Sequence, residues 1–392
     1  MAIEASSETG GHRRIRLGMV GGGQGAFIGA VHRIAARIDD QFELVAGALA
    51  SEPARAKASA RELGIADDRA YGSFEEMARA EAARADGIEA VSIVTPNHMH
   101  GPVAKAFLQA GIHVICDKPL TTTVAEAEEL AALIEKSGKV FVVTHNYAGY
   151  PMIRQARAMV ADGALGEIRL VQAEYLQDWL TERLEATGQK QAAWRTDPAR
   201  SGAGGCIGDI GTHAYQLACF VSGLELDELL AQLSTFVPGR MLDDDVQILL
   251  RWKGGAKGML WASQVAVGNE NGLKLRVHGT KGGLEWAQSD PNYLWFTPYG
   301  QPKQLLTRGG AGALSDASRV TRVPSGHPEG YLEGFATIYA EAARAIRAST
   351  AGVKLDPEVV YPTVQDGLAG MRFIDAAVRS SAANGAWIRV GR

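Results

Sequence analysis

Short apolar runs alternate with longer stretches of helical spacing through the first third of the chain. Residues 15–20 read as a short buried strand that runs into a glycine-rich turn and then a helix-forming stretch to Arg37. The same alternation predicts strands over 42–50, 90–95, 113–117 and 140–145, and helices over 53–63, 99–110 and 124–137. Pro53 suits the first turn of the helix it opens, because its missing N–H would have no partner there. Repeated strand–helix alternation predicts a doubly wound parallel sheet with helices on both faces, a Rossmann domain over 13–145. Ligands of such a sheet bind at the carboxyl ends of its strands, so the residues just after each strand are the ones to examine.

Further along, residues 168–175, 245–252, 258–267 and 273–279 have strand character and are separated by Gly-rich turns. Residues 329–348 read as one long helix with Tyr331, Phe335, Ile338 and Tyr339 on one face. Residues 1–12 read as a disordered leader, and 146–392 as a second domain for substrate binding and oligomerisation.

The first turn, Gly21-Gly22-Gly23-Gln24-Gly25-Ala26, is a G-x-G-x-x-A fingerprint placed between a strand and a helix. Gly21 allows the tight turn, Gly23 lets the backbone approach a pyrophosphate, and Ala26 allows close packing of helix on strand. The helix start, with Phe27 at its head, then turns unpaired N–H groups toward an anion. An NAD-preferring site usually has an acid at the end of the second strand, where this chain reads Ala48-Leu49-Ala50-Ser51. Ser51 and Arg55 suit a 2′-phosphate, whereas Glu52 suits the ribose hydroxyls, so the cofactor is expected to be NAD or NADP with the preference open.

Composition narrows the function classes. The 392 residues are 46% hydrophobic and 21% charged, enough apolar material for two domains. A net charge of −4 gives no basic face for a nucleic acid, and no apolar stretch reaches the roughly 18–20 residues a bilayer span needs. Cys116, Cys206 and Cys219 form neither a disulfide framework nor a zinc pattern, which fits a reducing cytoplasm. Arg13-Arg14 before the glycine-rich run lacks the leucine-rich core and cleavage site of an export signal. Asp243-Asp244-Asp245 reads as a solvated turn, so no metal is expected.

Two motifs at later strand ends, Thr95-Pro96-Asn97-His98-Met99-His100 and Cys116-Asp117-Lys118-Pro119-Leu120, resemble the Gfo/Idh/MocA family of sugar and polyol oxidoreductases. The family's E-K-P stands here as Asp117-Lys118-Pro119, which keeps the lysine. Gly204-Gly205-Cys206-Ile207-Gly208-Asp209-Ile210-Gly211-Thr212-His213 is similar to the family's G-G-x-x-x-D-x-G-x-H segment. The resemblance implies a C-terminal α/β domain on a largely antiparallel open sheet. Its outer face commonly forms the contacts of a homo-oligomer, a dimer or tetramer, and its helical side faces the active site.

Alcohol oxidation needs a hydride acceptor against the carbinol carbon and a base within reach of the hydroxyl proton. Lys118, Asp209 and His213 are the catalytic residues expected here. Asp209 and His213 are four apart in a segment entering a helix, so they share a face. His213 has the pKa range for proton exchange near neutrality, Lys118 polarises the substrate hydroxyl, and Asp209 holds a second hydroxyl and tunes its neighbours. Thr95, Pro96, Asn97, His98, Asp117 and Lys118 are expected at the cofactor with Gln24 and Gly25, and His100 at a helix start. Asn146, Tyr147, Tyr175, Gln177, Trp179, Lys190, Trp194 and His327 are expected to line the substrate cleft, with Lys190 and Arg195 able to read an anionic group.

The predicted activity is hydride transfer between a secondary alcohol of a sugar, polyol or sugar derivative and NAD(P). A second reading is a redox-neutral glycosidase that oxidises, eliminates and returns the hydride. A third, a cofactor-binding regulator, is disfavoured by the retained Lys118 and His213.

Overall fold

The strand β1 (Ile15–Gly21) leads a five-stranded parallel sheet with β2 (Phe42–Ala48), β3 (Ala90–Val94), β4 (His113–Cys116) and β5 (Phe141–Val143), in the order β2-β1-β3-β4-β5. The computed structural model describes residues 13–391, so the leader expected over 1–12 lies outside the described residues. Strand order reverses between β1 and β3, and the crevice at their carboxyl ends is where the glycine turn and Thr95 meet.

The crossover helices follow from local capping. Thr123 accepts from the N–H of Glu126 at the head of Val124–Ser137, and Gly138 closes it at φ +64°, a conformation costly for other residues. The helix Phe74–Ala83, which the alternation had not revealed, is capped the same way by Ser73.

The second sheet has nine strands in the order β13-β12-β11-β10-β6-β9-β8-β7-β14. They are β6 (Ile168–Leu176), β7 (Leu226–Ser234), β8 (Asp245–Trp252), β9 (Lys257–Ser263), β10 (Gly272–Gly279), β11 (Gly282–Ala287), β12 (Tyr293–Pro298), β13 (Gln304–Thr307) and β14 (Ile388–Arg389). Every neighbouring pair is antiparallel except β6 with β9. Alternation along the strands divides its faces. Val171, Ala173, Ile248, Leu250, Leu260, Leu275 and Val277 are buried against helices, while the opposite face is open. The strand expected to run to residue 267 ends at Ser263, which frees Gln264 to turn toward the site.

One element packs across the two halves of the chain. The helix Tyr331–Ala351 lies in the C-terminal half but covers the first sheet. Phe335, Ile338, Tyr339, Ala342 and Ile346 pack with Ile15, Leu17, Val31, Phe42 and Ile115 in one buried cluster. Its apolar face had been visible, but periodicity carries no information about which sheet receives it.

Candidate active site

Glycines at positive φ, Gly21 (+78°), Gly22 (+72°) and Gly25 (+73°), carry the first turn over the end of β1. A Cβ on Gly23 would stand 2.6 Å from the Leu49 carbonyl, so this glycine serves contact with the end of β2. The close helix–strand approach expected of Ala26 belongs to Gly29, where a Cβ would stand 2.3 Å from the Gly22 carbonyl. Ala26 is instead the N-cap of Phe27–Ile38 and offers no side-chain acceptor to its first N–H groups. Those donors, with open space beside Gly25 where a Cβ would meet only the Arg55 guanidinium at 3.6 Å, form a cradle that fits a dinucleotide pyrophosphate.

At the neighbouring strand end, Thr95 Oγ1 and His98 Nδ1 are buried with no partner among the described residues, as expected of groups that await a ligand. Ser51 and Arg55 are exposed beside the turn, and Arg55 donates to the Gln24 carbonyl at 2.7 Å. Glu52 is spent as a helix cap, accepting from the N–H groups of Ala54 and Arg55. Asn97 donates to the Ser201 carbonyl at 3.0 Å, bracing the strand end against the next domain.

Lys118 follows β4 and is held on a tied turn. Asp117 Oδ1 accepts from His32 Nε2 (3.0 Å) and Thr144 Oγ1 (2.5 Å), which makes Asp117 a brace at that oxygen. His32 is in turn bonded through Nδ1 to the Tyr339 hydroxyl at 2.8 Å. His100, at a helix start as expected, bridges the carbonyls of Pro119 (2.7 Å) and Thr95 (2.9 Å) and so ties the two strand ends together.

From the other domain, a π-helical turn, Ile207–Gly211, carries Asp209 and passes directly into Thr212–Ser222, which carries His213. Its head is capped by Asp243, whose carboxylate accepts from the N–H groups of Gly205 (2.6 Å) and Ile207 (2.8 Å). The expectation of a solvated turn at 243–245 is therefore wrong. All three carboxylates are buried, Asp244 accepting from Phe236, Val237 and Arg240, and Asp245 from the Trp261 indole. A run of acids reads as solvated until the buried donors that occupy it are known.

The two halves meet at Asp209. Its Oδ1 accepts from Lys118 Nζ at 3.2 Å, and its Oδ2 from Arg195 Nε (3.1 Å) and Gln264 Nε2 (2.9 Å). Lys118 also donates to the Asp209 carbonyl. Three donors on one carboxylate make Asp209 an anchor more than the holder of a second hydroxyl. Burial opposes its ionisation, but Arg195 and Lys118 outweigh burial and hold it well below the usual carboxylate range.

The His213 ring lies 5.1 Å from Tyr147 and 5.8 Å from His145, edge to face, and its Nδ1 has no partner among the described residues. Burial first, then Lys118 and His145, push its pKa well below the ordinary range, and His145 is pushed down to about 3. The near-neutral titration expected of His213 is thus displaced downward, and the ring stands neutral. In the free enzyme kcat/KM is accordingly expected to be flat between about pH 6 and 8. An acid limb with its midpoint near the ordinary histidine value, abolished in His213→Gln, would show that this environment is not the functional one.

Around this centre, Tyr147 and Tyr175 are buried with their hydroxyls 2.6 Å apart, and Asn146 Nδ2 is buried without a partner among the described residues. Trp179 donates to Gln177, which donates to Asn271, while the Trp194 ring lies 4.3 Å beneath the Arg195 guanidinium. Lys190 and His327 are exposed, and neither side chain joins the cluster. Gln264 and His145 were missed because nothing in their local sequence marks them. Both are placed by strand ends, Gln264 after β9 and His145 after β5.

Comparison with known proteins matches residues 15–145 to an oxidoreductase family with an NAD-binding Rossmann fold, and 153–285 to the GFO/IDH/MocA C-terminal domain. A crystal structure of an oxidoreductase from Sinorhizobium meliloti is 61% identical, with a TM-score of 0.87 over 96% of this chain and 100% of that one. An inositol dehydrogenase homologue from Azotobacter vinelandii, solved with NADH and myo-inositol, is 38% identical, with a TM-score of 0.91 over 96% of this chain and 98% of that one. Levoglucosan dehydrogenase of Pseudarthrobacter phenanthrenivorans is 29% identical over 96% of this chain and 98% of its own length.

Proposed function

Because the chain belongs to the Gfo/Idh/MocA oxidoreductases, with both domains matched, we propose that it oxidises a secondary alcohol of a polyol or cyclic sugar with a nicotinamide cofactor. One observation carries this: the Lys118 ammonium anchored on Asp209 and the neutral His213 ring converge beside the unpartnered Thr95 and His98.

The cofactor, bound at the glycine turn and the β3 end, supplies the hydride acceptor. Thr95 and His98 are its contacts from β3, and Ser51 and Arg55 flank the adenosine end. The Lys118 ammonium has three N–H donors, of which the Asp209 carbonyl and carboxylate take two, leaving one for the substrate oxygen. That donor stabilises negative charge developing on the oxygen while His213 accepts its proton. Asn146, Trp179, Trp194 and Arg195 surround the remaining hydroxyls.

The test is nicotinamide absorbance with NAD and NADP separately, against inositols, free sugars, sugar acids, 1,6-anhydro sugars and aryl glycosides. Accumulating reduced cofactor on a polyol or sugar is the expected result. Silence across the panel would sink the proposal. The inositol and levoglucosan relatives support net oxidation over the glycosidase reading, so aglycone release without reduced cofactor is not expected.

The open face of the second sheet pairs with a second copy of the chain. Leu170, Leu249, Met259, Trp261 and Trp295 on that side are 40–55% exposed, among charged residues such as Glu174, Lys274 and Arg276. A Met259→Asp, Trp261→Asp variant is expected to sediment as a monomer of 41.7 kDa where the wild type sediments as a multiple. A monomeric wild type would refute the pairing. Cytoplasmic placement is supported by three free cysteines. Among the described residues, no helix is long and apolar enough to cross a membrane.

A further inference from the structure

Tyr331 begins the helix that crosses from the second half of the chain to the first sheet, and no step described so far uses it. The head of this helix is pressed onto the turn that carries Asn146 and Tyr147. A Cβ on Gly149 would stand 2.0 Å from the Gly334 carbonyl, and one on Gly334 would stand 2.8 Å from the Tyr150 ring and 3.2 Å from the Asn146 carbonyl. Two facing glycines therefore allow an approach that any side chain would prevent, and they bring the helix head to the wall of the cleft.

From there the Tyr331 ring packs edge-on against Phe335 at 5.2 Å, and Phe335 lies 5.0 Å from His32, the residue that braces Asp117. The ring is thus fixed from behind by the same elements that position Lys118. Its side chain is half-buried, and its hydroxyl is bonded to nothing among the described residues. A tyrosine fixed this way and left with a free hydroxyl has its polar end available to a ligand.

We propose that Tyr331 is a specificity-determining residue of this site, its hydroxyl hydrogen-bonding one hydroxyl of the polyol on the side of the cleft where the two domains meet. The inference rests on the polyol reading given above. Burial, and then Tyr147, Asp117 and Asp209, raise its phenol above the ordinary tyrosine range, while Arg195 opposes them. The group is therefore a neutral hydrogen-bonding phenol throughout the working pH range and takes no part as a base.

The test is Tyr331→Phe, which keeps the ring and removes the oxygen. It is assayed on the polyol of the panel that the wild type turns over fastest and on each of its monodeoxy analogues. The variant is expected to lose about 3–10-fold in kcat/KM on the parent polyol, as one neutral hydrogen bond allows. It should show no loss on the single analogue that lacks the hydroxyl Tyr331 reads. Affinity for NADH, followed by its fluorescence, should be unchanged. Equal kinetics of variant and wild type on the parent would overturn the assignment, and so would an equal loss on every analogue, which marks a structural role. If the wild type turns over no polyol at all, the polyol reading itself fails and this inference with it, an outcome distinct from the other two.

Discussion

Replacing His213 with alanine is expected to lower kcat about 10²–10⁴-fold, the range by which a positioned proton acceptor accelerates such a step. The circular dichroism should stay close to wild type, because the buried Nδ1 bonds to nothing among the described residues, while the lost aromatic contacts should lower the urea midpoint modestly. Lys118→Met should also lower kcat strongly, by removing the donor that meets the substrate oxygen. The double variant should be little worse than the poorer single one, since proton transfer and charge stabilisation serve one transition state. Retention of more than about a tenth of wild-type kcat in His213→Ala would remove this residue from the role of base.

The second large effect is expected at a residue that touches no ligand. Asp243→Ala would leave the N–H groups of Gly205 and Ile207 buried without their carboxylate, at a cost of about 2–5 kcal/mol for the pair. A lower urea midpoint with an unchanged slope would register it. The π turn would lose the cap that sets Asp209 beside Lys118, so kcat should fall along with stability. Burial raises the Asp243 carboxyl from 3.8 to about 6, so between those values the folded form holds a proton that the unfolded chain has released. Stability from this group therefore decreases as pH rises from about 4 to 6 and is level above that. Asp243→Asn should flatten this dependence, and a pH slope that persists in the variant would assign it to another group.

The first sheet was legible because its strands are buried on both faces and each is followed by a patterned helix. Among its longer helices only Phe74–Ala83 escaped, a helix whose apolar positions are mostly alanine. Lys118, Asp209 and His213 could be placed because their motifs follow strand ends or enter a helix. The surrounding site was less legible. Lys190 and Trp194 lie four apart on one short helix, yet Lys190 is exposed while Trp194 and its neighbour Arg195 are half-buried. Asp243, Gln264 and Tyr331 come from three separate segments, and the partner each one finds (Gly205 and Ile207, Asp209, Phe335) is a property of tertiary packing that local pattern does not encode. The role given to Ala26 fell to Gly29 because the fingerprint fixes which residues are small and leaves open which of them touches the strand.

The helix Tyr331–Ala351 also bears on how the chain is made. Its apolar side covers Ile15, Leu17 and Phe42, and it is itself synthesised only after some three hundred further residues. At about 5–20 residues per second, the first sheet waits on the order of tens of seconds with that flank uncovered. During this interval the nascent dinucleotide-binding half is a natural client for a chaperone. A truncated product ending near residue 145 is expected to aggregate when expressed alone, whatever the strength of its glycine fingerprint.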